Sequence, residues 1–142
     1  MITFNNQDIK FTLKEKALLK KWIGDTIVKK KRKAGELNFI FCSDEHLLGI
    51  NQQYLNHNTY TDIITFDYSK EDVNLPVSGD IFISIDRVKE NAAKFGKTFE
   101  NELHRVIIHG TLHLLGYKDK TKLAKAEMTR QEDLALKAFA KG

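Results

Sequence analysis

The sequence of 142 residues predicts an α+β fold: a small mixed sheet with helices packed over it. Three observations carry that expectation. Short apolar runs of strand character fall within the first 85 residues. From Asp86 onward the chain is almost continuously helix-compatible, broken by Gly96 and by a turn at Gly116. The single proline, Pro76, sits in a polar connection between the last two strand-like runs.

Taken in order, residues 2–6 form a short edge strand. Phe11 to about Lys31 reads as a helix, because Leu13, Ala17, Leu18, Trp22, Ile23 and Val28 recur at helical spacing, and Gly35 closes the segment. Leu37–Cys42 alternates partially as a strand, after which Ser43 or Asp44 caps a helix running to about Tyr54. A polar loop at 56–60 leads to strands at 62–68 and 79–85. Helices follow at 86–95, 98–115 and 121–140. No internal repeat or linker interrupts the chain, so residues 1–142 are read as a single domain, long enough to enclose a hydrophobic core.

Hydrophobic content of 42% and charged content of 30% are those of a soluble globular protein. No apolar run approaches the roughly 20 residues that cross a bilayer, and Met1–Asn5 lacks the basic-then-apolar pattern of a signal segment. A single cysteine, Cys42, excludes an internal disulfide and suits a reducing cytoplasm. At the end of an apolar alternation, Cys42 reads as a buried strand residue. The net charge of +4 is uneven: residues 1–41 carry ten Lys/Arg against four Asp/Glu, and the remainder 13 against 15. The densest basic run, Lys29-Lys30-Lys31-Arg32-Lys33, has the charge footprint of a phosphate-backbone contact, or of a solvated helix end whose cations complement the helix dipole.

The most informative stretch is His109-Gly-Thr-Leu-His113-Leu-Leu-Gly116-Tyr-Lys-Asp119. Two histidines four residues apart lie about 40° apart on one helical face, one turn along, and can reach a single metal ion. Gly116 permits a left-handed cap and a sharp turn, which brings Asp119 back as a third ligand. Two imidazoles and a carboxylate leave a position open for water, the arrangement of a catalytic zinc site. The pattern is a relative of the metzincin signature H-E-x-x-H-x-x-G-x-x-H. Gly110 stands where zinc peptidases carry the glutamate that serves as general base, which weakens a peptidase reading.

His109-Gly-Thr-Leu-His113-Leu-Leu-Gly-Tyr resembles the core motif of the YbeY family of bacterial metal-dependent endoribonucleases. Thr61-Asp62-Ile63-Ile64-Thr65-Phe66 is similar to that family's T-[ND]-V-L-S-F strand, and Ser78–Ser84 to its L-G-D-I-x-I-S strand. The resemblance spans roughly residues 36–136. It implies single-strand-specific, metal-dependent cleavage in ribosomal RNA maturation, at the 3′ end of the 16S species, and in ribosome quality control. Its partners would be ribosomal RNA and the small subunit, and its place the cytoplasm. Two departures stand out: the family's G-Y-D-H ends here as Gly116-Tyr117-Lys118-Asp119, and the family's arginine after an aromatic residue is replaced by Leu55 after Tyr54.

The expected site is therefore His109, His113 and Asp119 as both metal-binding and catalytic residues, holding one Zn²⁺ or another divalent ion. Lys29, Lys30, Lys31, Arg32 and Lys33 are candidate RNA contacts. The ion would acidify water for attack on a phosphodiester, less strongly with an aspartate ligand than with a third neutral histidine. Asp62 and Asp80 are candidate polar groups beside the site, while Thr65 and Ser84 could touch a bound backbone. His104, about 140° round the helix from His109, points away from the metal face. His46 reads as a surface residue and His57 as a loop residue that could border the cleft. The alternatives are a ribosome-assembly factor whose metal only braces the fold, and a metallopeptidase-like hydrolase.

Overall fold

The computed structural model describes residues 1–57, 59–69 and 72–141. The chain runs β1 (Ile2–Asn6), α1 (Lys16–Lys29), β2 (Ala34–Cys42), α2 (Asp44–Leu55), β3 (Ile63–Asp67), β4 (Val77–Ser84), α3 (Ile85–Phe95), α4 (Phe99–Leu114) and α5 (Lys122–Lys141). The strands form one mixed sheet in the order β1-β2-β4-β3; β1, β2 and β4 are parallel, and β3 is antiparallel to β4. Among the described residues, no helix is long and apolar enough to cross a membrane. Asn58, in the expected 56–60 loop, and Lys70 and Glu71, in the connection before Pro76, lie outside the described residues.

Strand alternation sends side chains to two different layers. Leu37, Phe39 and Phe41 of β2, with Val77, Ile81 and Ile83 of β4, face a core completed by Leu19, Trp22, Ile23 and Ile27 of α1, Val88 of α3 and Val106 and Ile107 of α4. On the other face α2 covers a smaller cluster of Cys42, Leu47, Ile50 and Ile64. Burial pushes the Cys42 thiol up to about 12, with Asp8, Asp86 and Asp44 adding to the effect, so it behaves as packing rather than as a nucleophile.

The first helix differs from the sequence expectation. It begins at Lys16, not Phe11, and its buried face is Leu19, Trp22, Ile23, Thr26 and Ile27, while Ala17, Leu18 and Val28 are exposed. Phe11 and Leu13 belong to the preceding loop. Phe11 wedges edge-on between Phe41 at 5.2 Å and Phe99 at 5.7 Å, and the Asn6 amide holds its carbonyl. Apolar residues at helical spacing were thus shared between a loop anchor and a helix. The other helix starts follow their caps: Ser43, Ser84 and Thr98 each accept a backbone N–H with the side-chain oxygen.

His104 lies on α4 between Trp22 and Phe139, with ring centroids at 6.1 and 4.9 Å, and so faces away from His109 as the helical angle predicts. Burial holds its imidazole below the ordinary value of 6.5, only partly opposed by Glu15 and Glu100. The unfolded chain therefore binds this proton more readily than the folded one. The contribution of neutral His104 to stability is complete above 6.5 and is lost as pH falls below it. Replacing His104 with Phe should flatten the fall in urea midpoint between neutral and mildly acidic pH relative to the parent; an unchanged slope would remove His104 from that linkage.

Candidate metal centre

Helix α4 carries the two histidines because its apolar residues, among them Leu103, Val106, Ile107 and Leu114, bury it against the sheet and its neighbouring helices. The approach is close. A Cβ at Gly110 would come within 2.9 Å of both Ile63 Cδ1 and Ile81 Cγ2. Position 110 therefore faces the sheet, and the glutamate of a zinc peptidase would have to displace two core isoleucines.

The end of α4 then aims the third side chain. Leu115 caps the helix, the Gly116 N–H bonds the His113 carbonyl at 3.0 Å, and the Tyr117 N–H bonds the Leu112 carbonyl at 3.0 Å. This is the Schellman arrangement, and Gly116 supplies its left-handed residue with φ of 102°. The chain reverses and Asp119 returns to the helix face. Asp119 Oδ2 lies 3.4 Å from His109 Nε2 and 3.2 Å from His113 Nε2. One ligand atom from each residue falls within 4.8 Å of the others.

These separations fit a metal. Four ligands at zinc bond lengths of about 2.0–2.2 Å define a tetrahedron with edges of about 3.3–3.6 Å. The donor set is also right, two imidazole nitrogens and a carboxylate oxygen. The side chains of His109, His113 and Asp119 keep 20%, 24% and 33% of their surface exposed, so the centre opens to solvent on one side.

A residue that sequence reasoning missed completes the surroundings. Glu132 of α5 has a side chain only 9% exposed, and one of its oxygens lies 2.5 Å from His109 Nδ1. Its other oxygen accepts from Arg105 Nη1 at 2.8 Å, while Arg105 Nη2 donates to Asp133 at 2.7 Å. Burial by itself would depress His109, but the Glu132 hydrogen bond and charge, with Asp119 and Asp62 nearby, raise it above the ordinary value. His113 is lowered, by burial first and then by the charge of His109. The two rings, centroids 4.6 Å apart, are electrostatically unlike.

The two candidate aspartates separate. Asp62 is close enough for His109 to feel its charge, and burial raises its carboxyl above the usual range. Asp80 lies on the opposite face of the sheet from α4, between Gly79 and Ile81, which both pack against that helix. There it accepts hydrogen bonds from Asn38 Nδ2 at 2.9 Å and Tyr68 Oη at 2.7 Å, so it is a sheet residue and not a neighbour of the metal site. Ser84, fully buried, caps α3 and donates to Asp44; it is not available to a bound backbone. Thr65 shares the α4-facing side of β3 with Ile63. His46 is half-buried near the start of α2, and His57 is exposed just beyond that helix.

The basic run divides as well. Lys30 donates to Gln131 of α5 at 2.7 Å and lies 5.3 Å from the centre of the Tyr117 ring, while Arg32 donates to the carbonyls of Asp72 and Leu75. Lys29, Lys31 and Lys33 are exposed. Substituting Gly116 tests the turn. There is open space for a Cβ, but its φ is strained for any other residue, at a cost of about 1–3 kcal/mol. Gly116→Ala should lower the melting temperature modestly and weaken zinc binding in a competition titration, because relief of the strain swings Asp119 away from the histidines. Unaltered affinity would show that the Asp119 position does not depend on the glycine turn.

The chain is similar to known proteins over nearly its full length. A family model described as endoribonuclease YbeY matches residues 1–140. The chain is 50% identical over 139 residues to an endoribonuclease YbeY of Flavobacterium psychrophilum, covering 98% of this chain and 96% of that protein. It is 53% identical over 129 residues to the Karelsulcia muelleri protein of the same name, covering 91% and 89% respectively. A solution structure of a Thermotoga maritima protein matches with a TM-score of 0.67 and 31% identity, over 98% of this chain and 89% of that one. A family match over nearly the full length, together with relatives sharing about half of its residues, shows that the chain belongs to the endoribonuclease YbeY family.

Proposed function

We propose that this chain is a hydrolase that cuts RNA internally during ribosomal RNA processing, using one divalent ion, with zinc the best match, held by His109, His113 and Asp119. The whole of residues 1–142 is read as one catalytic domain. The observation that carries the reading is the convergence of two imidazole nitrogens and one carboxylate oxygen within 4.8 Å of one another on a partly open face. Family membership supplies the substrate class.

A bound divalent ion supplies Lewis-acid activation of water and of the phosphodiester. The residues of the chain hold and orient the reacting groups. His113 Nε2 lies 3.2 Å from Asp119 Oδ2, and Asp119 brings the negative charge that two neutral rings lack. Gly110 leaves the position of a peptidase general base without a side chain and turned into the core, which counts against the metallopeptidase reading. The exposed Lys29, Lys31 and Lys33 are the members of the basic run best placed to meet phosphates, with the small ribosomal subunit as the source of the substrate.

Purified protein should contain zinc and cleave single-stranded ribosomal RNA fragments. His113→Ala should lose both properties, and the fall in cleavage rate should exceed the roughly 10–100-fold typical of outer-shell changes. A variant that still cleaves at the parental rate sinks the catalytic assignment; one that keeps its metal sinks the ligand assignment. Changing Lys29, Lys31 and Lys33 together to Gln should weaken RNA binding and reduce the log–log salt slope by about 0.7 for each phosphate contact removed. An unchanged slope would return the run to a solvated helix end.

A further inference from the structure

The geometry points to Glu132 as the positioning residue for His109: it selects the ring tautomer and the ring angle that turn Nε2 toward the metal site, and Arg105 holds Glu132 in place for that task. This deepens the metal reading of the site and rests on it. A neutral imidazole carries one proton, and a metal needs the nitrogen that lacks it. The carboxylate of Glu132, 2.5 Å from Nδ1, draws the proton to that nitrogen and leaves the Nε2 lone pair facing Asp119 Oδ2 at 3.4 Å. A lone pair and a carboxylate oxygen that face each other repel. The arrangement is favourable when a cation lies between them.

The construction around Glu132 is specific. Arg105, His109 and His113 recur at four-residue intervals along one face of α4. Glu132 reaches in from α5 and bonds the first two, one with each carboxylate oxygen. Its side chain is 9% exposed, so it meets these two partners more than water. His113, by contrast, has the Tyr117 backbone as a further hydrogen-bonding partner, two residues before Asp119. Of the two rings, only His109 has its orientation set by a carboxylate from another helix.

The test reads the tautomer directly, in metal-free protein with ¹⁵N-labelled histidine. Long-range ¹H–¹⁵N correlations in alkaline buffer, where the ring is neutral, distinguish Nδ1–H from Nε2–H. The parent should show His109 as the Nδ1–H form, and an Nε2–H form would overturn the proposal without any variant. Glu132→Gln keeps the shape but removes the charge and can present an amide donor to Nδ1. It should shift His109 toward the Nε2–H form and weaken zinc affinity by about 10–100-fold, the range for partners of metal-bound histidines. Asp133→Asn is the control, since it breaks the other ion pair of Arg105 without touching the ring. Equal losses in both variants would assign the effect to general loosening around Arg105 and overturn the role of Glu132. A parent that binds neither zinc nor manganese nor cobalt overturns the metal reading and this inference together; a parent that binds zinc normally, with affinity unchanged in Glu132→Gln, overturns the inference alone.

Discussion

The close seating of α4 on the sheet is the constraint that sets the site. At position 110 a Cβ would come within 2.9 Å of Ile63 and Ile81, so any side chain there must push one of them aside. Leu103, Ile107, Ile108, Leu112 and Leu114 on the same helix are almost fully buried. Burial of such side chains is worth roughly 1.5–3 kcal/mol each, so the helix has little freedom to rotate or lift. That seating puts a line of polar residues, Arg105, His109 and His113, along one edge of an otherwise buried helix. Each must find a partner where water reaches only in part. The partners come from the chain beyond α4: Asp119 from the loop and Glu132 from α5.

Much of this was legible in the sequence. The mixed α+β architecture, the strand at Ile2–Asn6, the cap at Ser43 and the helical run from residue 86 onward all arise from local pattern. So does the grouping of His109, His113 and Asp119, because helical period and a glycine turn act within eleven residues. Glu132 was not legible. It meets His109 across 23 residues, and in a helix rich in charged side chains nothing local distinguishes it from Glu127, Asp133 or the lysines. The misreading at Phe11 has a similar origin, since burial of an aromatic residue by a loop leaves the same trace as burial by a helix. Asp80 is placed by strand alternation, and which parity faces α4 is decided by packing that the sequence does not spell out. Asp62 lies just before β3 begins, so its closeness to His109 does not follow from alternation at all.

Breaking a buried ion pair by removing one partner typically costs about 3–5 kcal/mol, whereas exposed pairs contribute little. The Arg105–Glu132 contact, with Glu132 buried and Arg105 partly exposed, lies between these cases, and the exposed Arg130–Glu127 pair belongs with the latter. The same residue therefore serves the docking of α5 on α4 and the orientation of His109. Stability and metal binding are coupled through it.

That coupling extends to the ion. A ligand that binds only the folded state stabilises it in proportion to RT ln(1 + [L]/Kd). Here the three donor atoms come from the last turns of α4 and the loop beyond its cap, and one of the rings is held from α5. An ion at this point joins α4 to the Asp119 loop directly and to α5 through Glu132. Without a cation, the Asp119 carboxylate meets the two rings through a hydrogen bond and close charge pairing. With a cation the same three groups can all direct lone pairs to one centre. The Gly116 turn, the Asp119 position and the α5 packing are thus three parts of one arrangement that holds three donor atoms around a single point.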